Sequence, residues 1–202
     1  MNQSDWEGLL KNRIKEVLKP DHVAVDIGAC VGDISEALVG NCGEVFLFEP
    51  DKNNYNTLKE KFKDRCTIEN CAVGNTDRSI HFYTSLGYGK YGGNIMGTDV
   101  SFKKSDYVYD IGCTSIDSYF RTKKVDLIKI DVEGAEKEVL KGGLSVLCRD
   151  MPYLFLELHH DEDYLEIKSL LSDIGYQLYD MTTMTECTDK RPYQMFCKAE
   201  EL

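Results

Sequence analysis

Val23-Ala24-Val25-Asp26-Ile27-Gly28-Ala29-Cys30-Val31-Gly32 is the stretch from which the rest of the chain is read. Five mostly apolar residues carrying one carboxylate near their end suit a buried parallel strand. Gly28 to Gly32 then turns the chain, and Asp33 to Val39 has the pattern of a helix. Glu44-Val45-Phe46-Leu47-Phe48 follows as a second apolar strand, closed by Glu49, which lies 21 residues after Gly28. Strand, glycine-rich turn, helix, strand and terminal acid make the first half of a nucleotide-type site in an open α/β sheet. The glycines let backbone approach a ligand, and the acid can hold both hydroxyls of a ribose.

Charge separates the two ligand classes that use this arrangement. A dinucleotide sets its pyrophosphate on the helix N-terminus and wants Gly-x-Gly-x-x-Gly. Cys30 and Asp33 occupy the second and third glycine positions here. A carboxylate at Asp33 repels pyrophosphate, so an NAD-dependent dehydrogenase is the weaker alternative. S-adenosylmethionine has no phosphate, and its sulfonium tolerates nearby carboxylates such as Asp26.

The chain has 202 residues, room for one large α/β domain, and 1–202 is taken as one. Its 42% apolar and 29% charged residues fit a soluble enzyme. The net charge of −11 disfavours nucleic acid and anionic membrane, because phosphate contacts need a basic stripe. Met1 to Gly8 is polar and no apolar run reaches the roughly 18 to 20 residues of a membrane span, so a cytoplasmic location is expected. The 8 cysteines include no Cys-x-x-Cys pair, and they read as reduced, mostly buried thiols.

Outward from the central stretch, Ser4 to Lys19 has helical apolar spacing stopped by Pro20, and is expected to cover one edge of the sheet. Asp51 to Phe62 reads as a helix, with strands at Cys66–Glu69 and Ser79–Thr84. Residues 85–110 interleave glycines and tyrosines without periodicity, which marks a candidate substrate lid or a surface excursion. Val125 to Ile130 is a strand that ends at Asp131, followed by a helix from Gly134 to Gly142. Tyr153 to Leu158 is a further strand ending in ionisable groups. A helix at Asp163–Ile174 and strands at Tyr176–Tyr179 and Tyr193–Cys197 complete the pattern.

Val25-Asp26-Ile27-Gly28-Ala29 with Gly32, Phe48-Glu49-Pro50, Asn70-Cys71-Ala72-Val73-Gly74, Ser115 to Tyr119, and Ile128 to Glu136 followed by Val139-Leu140-Lys141-Gly142 resemble the FkbM family of methyltransferases. That resemblance runs in order from about Val23 to His159. It implies a Rossmann-like class I methyltransferase fold: a seven-stranded, mostly parallel sheet with a reversed last strand and helices on both faces. It also implies S-adenosylmethionine-dependent O-methylation of a sugar, glycoside or natural-product hydroxyl. Carried over, Asp26, Gly28, Ala29, Cys30 and Gly32 line the methionine end, with Cys30 a departure that alters packing there. Glu49 binds the ribose, Pro50 shapes its turn, Asn70, Cys71 and Ala72 lie against the adenine, and Asp131 stands near the transferable methyl.

Methyl transfer is an in-line displacement, so most of the help is alignment, while a sugar hydroxyl also needs a base or a metal. Asp131, Glu133, Glu157, His159 and Lys129 are the candidate catalytic residues. His159 ends a central strand and is the expected base. Asp131, Glu157 and His159 could instead hold a divalent cation, but nothing in their spacing demands one, and no metal is expected. Plainer roles stand beside these: Asp117 as a helix cap, Glu136 as part of a solvated helical face, Glu133 and Glu157 as ordinary strand-end acids. Lys129, inside an apolar strand, must find a partner or reach solvent. The expected partner is a small hydroxylated acceptor, with oligomeric state open. A catalytically silent S-adenosylmethionine-binding protein is the other alternative.

Overall fold

In the computed structural model, residues 3–84, 93–94 and 107–200 are described. Helix α1 (Gln3–Val17) leads into strand β1 (Val23–Ile27), α2 (Ser35–Val39), β2 (Glu44–Phe48), α3 (Lys52–Phe62) and β3 (Thr67–Glu69). Next come β4 (Ala72–Val73), β5 (Arg78–Thr84), β6 (Gly93–Asn94), β7 (Tyr107–Thr114), α4 (Ile116–Tyr119) and β8 (Leu127–Ile130). The chain closes with α5 (Glu136–Lys141), α6 (Leu144–Asp150), β9 (Tyr153–Glu157), α7 (Asp161–Asp173), β10 (Tyr176–Asp180) and β11 (Gln194–Ala199).

Seven strands form one sheet in the order β10-β11-β9-β8-β1-β2-β3. All pairs are parallel except those of β11, which runs against both β9 and β10. The reversed last strand is therefore present. Chain order switches direction between β1 and β8, which puts a crevice at their carboxyl ends, where open α/β sheets bind ligands. A second, four-stranded sheet in the order β4-β7-β5-β6 stands beside that crevice.

Alternation along each strand assigns the two faces. Val25 and Ile27 of β1, with Ile128 and Ile130 of β8, pack under Phe120, Val139, Leu140, Leu147, Tyr164 and Ile167 of helices α5–α7 and the end of α4. Ala24, Val45, Leu47 and Leu127 face the other way, against Leu10 and Ile14 of α1, Leu38 of α2, and Leu58 and Phe62 of α3. Asp26 shares that second face and lies in register with Lys129 on the neighbouring strand.

Helix α1 thus covers a face of the central sheet, not an edge. Its apolar stripe packs in one cluster with Leu127, Phe155 and Phe196 of the sheet. The candidate lid lies outside the described residues except at two places. Gly93–Asn94 pairs with β5, and Tyr107–Asp110 is strand, the start of β7 in register with His81 to Thr84. Helix α6 has no counterpart in the sequence reading. Its N-terminus is capped from a distance by Asp117, which accepts from the backbone of Ser145 at 3.0 Å and Val146 at 2.8 Å. All eight cysteines are free thiols, yet only Cys197 is buried, Cys148 is exposed and the others are half-buried. No helix among the described residues is long and apolar enough to cross a membrane.

Candidate active site

After β1 the backbone enters left-handed conformations at Gly28 (φ +76°), Cys30 (φ +52°) and Gly32 (φ +82°). Only glycine serves at Gly28, since a Cβ there would overlap the Asp131 carbonyl oxygen. Gly32 is held for packing: its missing side chain leaves room for Leu58 and Phe62 of α3. The loop is tied to β2 by Gly28 and Ala29, whose N–H groups donate to the Phe48 carbonyl at 3.0 and 3.1 Å. Cys30 N–H donates to Glu49 Oε2 at 2.7 Å, and Asp51 N–H donates to Oε1 at 2.8 Å.

Glu49 is consequently not an open strand-end acid. It is 5% exposed and braces the loop. Burial pushes its carboxyl up to about 7, against the pull of the Asp51 and Cys30 N–H groups. Each of its oxygens accepts one backbone donor and keeps a second lone pair free. Asn70 is a brace as well, its amide donating to the Glu49 and Pro50 carbonyls at 2.9 and 3.0 Å.

Two clefts open on either side of this loop. One spans about 690 Å³, open solvent included, between β2 and the small sheet, and is lined by Glu49, Pro50, Cys71, Ala72, Val73 and Phe82. The other encloses about 840 Å³ between the loop, α1 and the ends of β8 and β9, and includes Ala29, Lys129, Glu157 and His159. Gly28, Cys30, Asp131 and Glu133 line both. Asp26, Gly32 and Asn70 line neither; they stand behind the walls.

Asp26 is 0% exposed, and its Oδ2 accepts from the Ser35 hydroxyl at 2.6 Å. Lys129, 5% exposed, places Nζ 3.2 Å from Asp26 Oδ1 and 3.4 Å from Asp131 Oδ2, and donates to the Gly28 carbonyl at 2.9 Å. This answers the problem of a lysine in an apolar strand. Its ammonium joins two strands and the loop, and although burial works against the charge, these carboxylates hold its pKa above the usual lysine value.

At the ends of β8 and β9 the imidazole of His159 is the hub. Nδ1 lies 2.7 Å from Glu136 Oε1, which also accepts the Gly134 N–H at 3.0 Å. Nε2 faces Glu133 at 3.4 Å, Glu157 at 3.7 Å and Asp131 at 3.8 Å. Burial alone would lower the imidazole, but the Glu136 bond and charge outweigh it and push it up to about 9. Glu133 is raised as well: burial first, then the Asp131 and Glu157 charges, push it up to about 7 despite His159. Burial and the Asp131 charge also raise Glu157, which accepts from the Tyr193 hydroxyl and from Gln194. Among the described residues, donor atoms of Asp131, Glu133 and His159 come within 4.8 Å of one another and could surround a cation.

Glu136 is the residue the sequence reading misplaced. It is 2% exposed, not part of a solvated face. A signal was present, because Glu136 stands three and four residues before the inward-facing Val139 and Leu140, on the same helical stripe. Glu133 (φ +54°) and Gly134 (φ +102°) turn the chain sharply between strand and helix. A Cβ on Gly134 would overlap the His160 ring, which packs there.

Residues 26–178 match the model of the Methyltransferase FkbM domain. Among curated proteins, the hexuronic acid methyltransferase AglP of Haloferax volcanii is 26% identical, over 78% of this chain and 64% of its own. The 2-O-methyltransferase NoeI of Sinorhizobium fredii is 26% identical, over 72% of this chain and 67% of its own. This chain thus spans about two thirds of the length of either relative. A crystal structure of methyltransferase FkbM from Methylobacillus flagellatus KT superposes with a TM-score of 0.62 at 20% identity, covering 93% of this chain and 50% of that one. At that identity the likeness is one of fold.

Proposed function

The chain belongs to the FkbM methyltransferase domain family, and on that premise we propose that it transfers a methyl group from S-adenosylmethionine to a hydroxyl of a sugar or sugar-like acceptor. The observation that carries this reading is the pair of clefts sharing Gly28, Cys30, Asp131 and Glu133. One side offers a ribose-type acid beside an apolar wall, and the other offers ionisable groups above strand ends. The names of the two curated relatives, one a hexuronic acid and one a 2-O-methyltransferase, support a sugar hydroxyl as acceptor.

The residues present fit such a donor. Glu49 has a free lone pair on each oxygen for ribose hydroxyls, Cys71, Ala72 and Phe82 give a flat apolar enclosure for a base, and Gly28 has no side chain to block approach. S-adenosylmethionine, when bound, supplies an electrophilic methyl on a sulfonium. Asp131 and Glu133, at the junction of the clefts, give that positive centre an acidic surrounding. The acceptor hydroxyl must lose a proton, and we assign its removal to Glu133 and not to His159. An imidazole raised to about 9 already carries a proton at neutral pH. His159 and Glu136 instead act as positioning residues, holding the acids around the acceptor.

A turnover screen with labelled methyl donor against glycosides, products identified by mass, tests the reading. A protein that binds S-adenosylhomocysteine but methylates nothing would be the silent binder. NADH binding in preference to S-adenosylhomocysteine would defeat the methyl-donor assignment. Two predictions arise here. Ionised Glu49 accepts hydroxyl hydrogen bonds better than the neutral acid, so calorimetric affinity for S-adenosylhomocysteine should rise between about pH 6 and 8. Glu49→Gln should remove that rise and weaken binding about 10- to 100-fold, the range for lost charge-assisted contacts. Second, with Glu133 as the base the reaction needs no cation, so chelator should leave turnover unchanged. Activity abolished by chelator and restored by magnesium would give Asp131, Glu133 and His159 a metal-holding role, with Glu133 in the place the sequence reading gave to Glu157.

A further inference from the structure

The cleft on the α1 side has a one-sided charge. Its walls carry the carboxylates of Glu7, Asp33, Asp131, Glu133 and Glu157, against two lining cations, Lys129 and His159, with Lys61 standing 3.5 Å from Asp33. Both cations are already committed to acids of the protein. Lys129 lies against Asp26 and Asp131 at 3.2 and 3.4 Å, and His159 against Glu136 at 2.7 Å. Among the described residues lining this cleft, none therefore offers an uncommitted positive charge.

Hydrogen-bond chemistry points the same way. An ionised carboxylate only accepts, whereas hydroxyl and ammonium groups donate, so the wall is fully accepting only above about pH 7, where Glu133 has lost its proton. A ring bearing hydroxyls or an amine meets such walls donor to acceptor, but a carboxylate or phosphate meets them acceptor to acceptor, with like charges in a partly dry site. Trp6 and Tyr193 add aromatic surface to the same cleft. Amphipathic aromatics of this kind suit a sugar, whose C–H face is apolar and whose rim is polar.

We propose that the acceptor is a sugar carrying no anionic group, uncharged or amino-bearing, and that this cleft rejects uronates and sugar phosphates. The inference rests on the sugar-methylating reading above, and on the charge of the acceptor it departs from the relative named for a hexuronic acid. Its test is kcat/KM for three matched glycosides that differ at one carbon: a hexopyranoside, its amino-deoxy analogue and its uronide. At low salt the first two should exceed the uronide by about tenfold or more, equivalent to about 1.4 kcal/mol. Added salt should narrow the gap by screening. Glu7→Gln, on the α1 wall, should raise the uronide's kcat/KM relative to that of the neutral sugar. A uronide methylated as well as the neutral sugar at low salt would overturn the charge rule while leaving the sugar-methylating reading intact. Turnover of none of the three, with S-adenosylhomocysteine still bound, would overturn that reading and the charge rule with it.

Discussion

Glu133→Gln is expected to lower methyl-transfer turnover by about 10²- to 10⁴-fold, the usual contribution of a positioned general base. Its affinity for S-adenosylhomocysteine should change far less. The carboxylate stands where the two clefts join, on a residue held at φ +54°, a conformation that non-glycine residues adopt only when their surroundings enforce it. A base works unprotonated, so the rate of the unaltered enzyme should climb as pH rises through about 7. It should fall again above about 9, where His159 loses the proton that lets it hold Glu133 on one side and Glu136 on the other. Those limbs are properties of the whole acid cluster, because its members interact strongly. His159→Gln should erase the alkaline limb and keep the acid one, a change that a purely structural histidine would not produce. Glu133→Gln with full turnover would end the assignment.

Lys129→Met should have the largest effect on stability, lowering it by about 3–5 kcal/mol, as expected when one member of a buried ion pair is removed. For a chain of this size that is a fall of roughly 6–20 °C in Tm. Asp26, fully buried, would be left facing an apolar side chain with its remaining oxygen bonded only to Ser35, and the Gly28 carbonyl would lose its donor. Asp26→Leu combined with Lys129→Met should recover much of the loss, since a buried pair replaced as a unit by apolar groups is often neutral. If the double variant is no more stable than the single one by thermal denaturation, the partnership between the two side chains is not what matters. A fall below about 1 kcal/mol in the single variant would show the lysine to be merely tolerated.

Most of the frame was legible because parallel strands buried on both faces leave continuous apolar runs, as at Val23–Ile27 and Leu127–Ile130. The meeting of the Gly28 loop with Glu49 was legible for a related reason: both lie within one β-α-β unit, so their spacing along the chain carries their meeting in space. Residues 107–110 failed because a hairpin edge with tyrosines and glycine nearby has no apolar alternation; register with β5 makes it a strand. Asp26 was carried over from the family resemblance as a residue of the methionine end, whereas it is fully buried and lines neither cleft. Its partner is on another strand, and only the register between β1 and β8 reveals that it faces Lys129. Glu136 was missed because its fate depends on His159, 23 residues away at the end of a different strand.

The ion pair that crosses from β1 to β8 also sets an order of events during synthesis. Asp26 and Lys129 are 103 positions apart, so at about 5–20 residues per second a ribosome delivers the lysine roughly 5–20 s after the aspartate. Through that interval β1, β2 and β3 can pair and collect α2 and α3, yet the side of β1 that will receive β8 stays open, with a carboxylate on it. The Gly28 carbonyl likewise waits for its donor. A nascent chain has the Gly28 turn and Glu49 early, but the strand that closes the loop from behind, and with it the lysine that caps the Gly28 carbonyl, arrives only when the fourth parallel strand has emerged.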